Sequence, residues 1–151
     1  MNQTKLIIIA ICAGLLIGAI ATFFFGYVAA IAIPEGYFLW FHQHMHIRVA
    51  FIPLGIAEHF ICFGPWALLA GCVLARLSPS HWLLNSVICY LSVLFYSSVG
   101  IAIVYGGPIR SPFQVSDSVF YIPMMVLPTC LIAASYFSSK RHGHKEHHCP
   151  T

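Results

Sequence analysis

Apolar residues in this chain fall into four long runs, separated by short breaks rich in proline, glycine and polar side chains. The runs cover about 6–33, 47–75, 81–105 and 118–137. A helix needs roughly 20 apolar residues to cross about 30 Å of hydrocarbon, so the first three are long enough unaided and the fourth is near the minimum. The pattern predicts an all-α integral membrane protein, a four-transmembrane-helix bundle occupying 1–139, followed by a His-rich basic tail at 140–151. Ala19-Ile20-Ala21 resembles a signal-peptidase site, but the apolar run continues through Phe23, Phe24 and Phe25 to Ile33, so it reads as a span.

The breaks carry their own chemistry. Pro34-Glu35-Gly36 ends the first helix, and Tyr37, Phe38, Trp40 and Phe41 follow as an aromatic cluster suited to the headgroup level. Ser78-Pro79 reads as a cap followed by proline in the first turn of the third helix. Gly106-Gly107-Pro108 stops that helix, and Asp117 is placed to cap the fourth. Pro53 and Pro65 in the second span, and Pro123 and Pro128 in the fourth, each remove a backbone donor and predict bent or loosened helices.

Composition agrees with this division: 60% of the residues are hydrophobic and 7% charged, outside the usual range for a soluble domain. Five of the six cysteines (Cys12, Cys62, Cys72, Cys89 and Cys130) lie inside apolar runs, where cysteine acts as a small hydrophobe, so no disulfide is expected. The formal charge of +3 comes mostly from the tail and points to membrane orientation, not to nucleic acid. Lys5, Arg76, Lys140, Arg141 and Lys145 fall on one side of four spans, against Arg48 and Arg110 on the other. That asymmetry predicts both termini in the cytoplasm, as in a bacterial inner (cytoplasmic) membrane protein. No internal repeat, Gly-rich phosphate loop, Walker-type pattern or nucleophile elbow is present.

Along the first span Ala10, Gly14, Gly18, Thr22, Gly26 and Ala30 recur every four residues, leaving a groove of small side chains. Another helix can approach closely there, either one of the chain's own or one from a partner subunit.

Candidate chemistry gathers between His42 and Trp66. Glu58 is the only formally charged residue between Arg48 and Arg76, near the middle of the second run, where a carboxylate costs on the order of 3 kcal/mol. It must be protonated, paired with a cation or metal, or set in a wet cavity. Arg48 is ten residues away, about 15 Å along the helix, too far to pair from the same helix. His59 points about 100° away from Glu58, while Cys62 is within one turn of both. Tyr96, Ser97 and Ser98 of the third span, with Thr129 and Cys130 of the fourth, are expected at similar depth. The result would be a polar patch at the midplane, either a structural hydrogen-bond network or a proton, ion or metal site.

Two further histidine groups flank the spans. His42 and His46 share a face one turn apart, with His44 on another and Met45 nearby, a set that suits Cu or Zn or an interfacial cluster. His142, His144, His147, His148 and Cys149 in the tail suit metal collection or association with anionic lipid. His42-Gln43-His44-Met45-His46 resembles the H-x3-H box, and His144-Lys145-Glu146-His147-His148 the H-x2-H-H box, of membrane di-iron desaturases and hydroxylases. Such enzymes need a further box between the two, absent here, and need their boxes on one side of the membrane. Three spans separate these, so the match is accidental.

These features lead to three expectations. The first is a non-catalytic subunit or assembly/accessory factor of a larger membrane complex, in contact with lipid and with other membrane subunits or its own copies. The second is a Cu or Zn binding or transport protein using His42, His44 and His46 outside and Glu58, His59 and Cys62 within the span. A di-iron oxygenase ranks last.

Overall fold

The computed structural model describes residues 2–31, 39–40, 43, 47–106, 108–109 and 121–146. Every regular element among them is helical. Helix α1 spans Gln3–Ile31 and α2 spans Ile47–Leu77. A 3₁₀ turn, Pro79–His81, leads into α3, Trp82–Phe95. The third span continues through a π-helical turn, Tyr96–Gly100, into α4, Ile101–Tyr105. The fourth is made of α5, Tyr121–Met124, and α6, Val126–Glu146. Among the described residues, four helices are long and apolar enough to cross a membrane, over Gln3–Phe25, Ile52–Leu77, Pro79–Val104 and Tyr121–Arg141. Their windows hold 23, 26, 26 and 21 residues, about 32 to 39 Å of helix.

Most of the punctuation lies where the residue chemistry places it. Gly106 ends the third span in the left-handed region at φ 70°, its N–H donating to the Ala102 carbonyl at 3.0 Å. The fourth span breaks at Met125, because Pro128 lacks the N–H that would close the turn on the Met124 carbonyl. α2, in contrast, is continuous through both Pro53 and Pro65. Ser78 stands at the N-cap position but makes no side-chain capping bond; it is buried, and α2 ends there because the next residue is proline. The last helix also extends beyond the expected 118–137 span, through the first half of the tail to Glu146. Lys140, Arg141, Lys145 and Glu146 are all good helix formers and prolong it beyond the apolar run. The cap expected from Asp117, the loop around Arg110 and the aromatic residues 37, 38 and 41 lie outside the described residues.

Third-span register is disturbed by its serines. Ser97 and Ser98 both donate to the Leu94 carbonyl at 2.8 Å, loading an acceptor that a regular helix reserves for the amide four residues on. The chain widens into the π turn at that level, with the Tyr96 ring seated between Gly18 of α1 and Gly100.

The bundle is built from two parallel helix pairs. Gly14 of α1 faces the Cys89 carbonyl and Ser92 of α3, and Gly18 faces Tyr96, so the two helices run in the same direction. In the other pair Gly55 of α2 faces Pro123, while Gly71 faces the Leu131 carbonyl, Ala134 and Ser135 of α6. α1 also packs on α2, and α3 on α6, whereas α1 and α6 are diagonal and make no contact among the described residues. The start of α1, the 79–81 turn and the end of α6 therefore share one end of the bundle, called here the turn end. Of the two uses open to the small-residue groove, Gly14 and Gly18 serve the internal one. Gly26 lies in α1, but its surroundings are outside the described residues.

Side-chain size is distributed the opposite way from a water-soluble core. Ala10, Ala21, Ala67 and Ala75 are all 0% exposed, Cys89 is buried in one cluster with Leu74 and Leu131, and Cys62 is buried as well. Large apolar groups such as Leu16, Phe23, Leu91 and Ile103 point outward. Small residues let backbones approach where dispersion and hydrogen bonds, not water exclusion, hold helices together.

Candidate functional site

Glu58, His59 and Cys62 lie on α2, but the helix aims them in different directions. Cys62 is 1% exposed and faces the interior. His59 is half-buried, with Nδ1 donating to the Gly55 carbonyl at 2.8 Å. Since a carbonyl can only accept, Nδ1 carries a proton in this arrangement, and in the neutral ring Nε2 keeps its lone pair. The ring lies 5.2 Å from Phe25 of α1 at 83°, and 5.8 Å from Phe63 at 25°. Phe25 and Phe63 complete the box at 6.4 Å. Residues 55, 59 and 63 form one i, i+4 stripe, so a single face of α2 supplies the carbonyl, the imidazole and one wall of the box.

Glu58 sits on the margin of that face. It is half-exposed, and Ala57, Phe60 and Ile61 around it are exposed. No described residue donates a hydrogen bond to its carboxylate or forms an ion pair with it. On the same open side, Pro65 deprives the Ile61 carbonyl of its i+4 amide donor. The exposed side of α2 thus carries acceptors in excess of donors. Within α2, Ile47–Leu77, Glu58 is eleven residues from one end, about 16 Å of helix, and nineteen from the other.

The expected midplane patch is not assembled among the described residues. Phe25 fixes the level of His59 on α1, whereas Tyr96 packs on Gly18, seven residues or about 10 Å nearer the turn end. Ser97 and Ser98 bond within their own helix, Thr129 is exposed, and Cys130 packs against the apolar core. No group of three or more His, Cys, Asp or Glu residues able to hold a metal occurs among the described residues. His42, His44 and His46 lie outside them, as do His147, His148 and Cys149. Cys12, Cys62, Cys72, Cys89 and Cys130 are free thiols, as their apolar surroundings predict.

A polar seam not foreseen from the sequence lies toward the turn end. Ser86 Oγ and Ser135 Oγ are 2.8 Å apart and buried. Ser135 donates to the Gly71 carbonyl at 3.1 Å, so the bond between the two serines uses the Ser86 proton, for which the Trp82 carbonyl at 2.8 Å is the alternative acceptor. Ser138 reaches the Cys72 carbonyl at 3.4 Å. One helical turn of polar groups therefore links α2, α3 and α6. Asn85, 2% exposed beside Ser86, keeps a buried Nδ2 with no hydrogen-bond partner, unlike any other buried side chain among the described residues. The sequence signal was the i, i+1 pair Asn85-Ser86 inside an apolar run, but its partner Ser135 is distant in the chain.

No family model, curated protein or solved structure matches this chain. The functional reading rests on its own residues.

Proposed function

We propose that this protein is a non-catalytic subunit or assembly factor of a larger membrane complex. Glu58 is the observation that carries the reading. An ionisable side chain within an apolar span ordinarily finds its partner inside the bundle or lines a wet cavity. Here it stands half-exposed, on a side of α2 already rich in acceptors, with no donor supplied by any described residue. A Lys, Arg or other donor on a partner helix satisfies it, with Ala57, Phe60 and Ile61 as the apolar contact around the pair. The proposed setting is a bacterial inner membrane with both termini cytoplasmic, following the distribution of Lys and Arg among the loops. Purification in a mild detergent is expected to bring down larger membrane subunits with the wild-type chain and to lose them with Glu58→Gln. A monodisperse lone protein, unaltered by Glu58→Gln, contradicts the proposal.

A second reading, binding of Cu or Zn, is favoured by one observation. His59 has Nδ1 held by a backbone carbonyl, which leaves Nε2 as the one ring nitrogen for a metal, a pairing typical of metal-bound imidazoles. Neither Glu58 nor Cys62 is gathered with it into a ligand set. Metal analysis of the purified protein tests this reading: stoichiometric Cu or Zn lost on His59→Ala supports it, and metal-free protein ends it.

A further inference from the structure

On the outer side of the fourth span a shallow, open groove of about 560 Å³, lined by that span alone, runs from Met125 through Pro128, Thr129, Ile132 and Ala133 to Phe137, and its surface is almost wholly apolar. Twelve residues of helix separate its ends, about 18 Å, close to the depth of one leaflet of a bilayer whose hydrocarbon is about 30 Å thick. The turn end of the groove is marked by aromatic side chains. Tyr136 is edge-on to Trp82 at 5.9 Å and to Phe137 at 5.5 Å, a cluster suited to the headgroup boundary.

The same helical face continues into cations. Lys140 is four residues beyond Tyr136 and Arg141 four beyond Phe137, so both project over the end of the groove. Lys140 Nζ lies 6.0 Å from the centre of the Tyr136 ring, and both cations are exposed. An open apolar strip one leaflet long, followed on the same helical face by an aromatic collar and two positive charges, matches one molecule in length and charge. We infer that this face binds an anionic glycerophospholipid, with an acyl chain along the groove and the headgroup phosphate at Lys140 and Arg141. The cations supply the preference for net negative headgroups, and the groove holds a single lipid in place. Neither Glu58 nor its proposed partner takes part, so the two proposals stand or fall separately.

Native mass spectrometry of the full chain, extracted in mild detergent and titrated with equimolar phosphatidylglycerol and phosphatidylcholine, tests the site. The expected result is retention of one phosphatidylglycerol, favoured over phosphatidylcholine by about tenfold. Lys140→Gln with Arg141→Gln abolishes the preference, and Ala133→Phe, which fills the groove, abolishes retention of either lipid while the protein stays folded by circular dichroism. Equal retention of the two lipids by the wild type overturns the inference. So does unchanged retention in Ala133→Phe, which reduces the site to surface cations, or a second protein chain in place of lipid on this face.

Discussion

Two levels of α2 meet the same problem, polar groups in an apolar span, in opposite ways. Toward the turn end Ser86, Ser135 and the Gly71 carbonyl satisfy one another across three helices, at a point where Gly71 lets the α6 backbone come close. Nearer the middle of the helix Glu58 stands partly exposed with no described donor, and the neighbouring imidazole is committed to its own helix and to two phenyl rings. The difference separates polar residues that hold the bundle together from one to which no described residue supplies a donor. Interhelical hydrogen bonds in membranes contribute only about 0.6 kcal/mol on average, so close backbone packing carries the turn end and the serines refine it.

Substitutions at the two levels test this contrast, and the largest effect belongs to the glycine. Gly71→Leu drives a side chain into the Leu131 carbonyl and Ala134 and is expected to cost about 3 kcal/mol or more, read as loss of the folded monomer in thermal unfolding in detergent. Ser135→Ala removes both links from α6 and lowers stability by about 1 kcal/mol in the same assay, without unfolding the chain. At the other level the sign reverses. Glu58→Leu stabilises the isolated protein by on the order of 1 kcal/mol, below the ~3 kcal/mol insertion cost of a central carboxylate because the group is half-exposed. A loss of stability there would mean that Glu58 has a partner within its own chain. Asn85→Leu gives the smallest change, a gain of a few tenths of a kcal/mol, because it removes a buried donor that has no acceptor. A drop of 1 kcal/mol or more would show that Nδ2 is satisfied through water and belongs to the seam.

The four spans were legible in the sequence because apolar run length and Gly or Pro punctuation act locally: Gly106 stops the third helix and Pro128 breaks the fourth. Register between helices was not legible. Spacing showed that the α1 stripe offers a close approach, but every span has small residues, and only the fold shows that Cys89, Ser92 and Tyr96 fill it. The same gap explains the polar patch that did not form. Depth judged from span midpoints grouped Tyr96 with Glu58, whereas the α1 contacts at Gly18 and Phe25 place them about two helical turns apart. Candidate site residues were readable as chemical types, since Glu58 and His59 stand out in an apolar run. The orientation of each was not, because it depends on Phe25, a residue of another span with nothing local to mark it.

Glu58 remains the centre of the functional account, and its exposed surroundings allow a direct measurement. A photocrosslinking amino acid placed at Phe60, activated in membranes of the native host, is expected to give a discrete higher-mass adduct with another membrane protein that disappears when Glu58→Gln is added. The same probe at Ile103, exposed on the third span, should give none. Adducts at Phe60 that persist unchanged without the carboxylate, or only lipid adducts at both positions, would contradict the account.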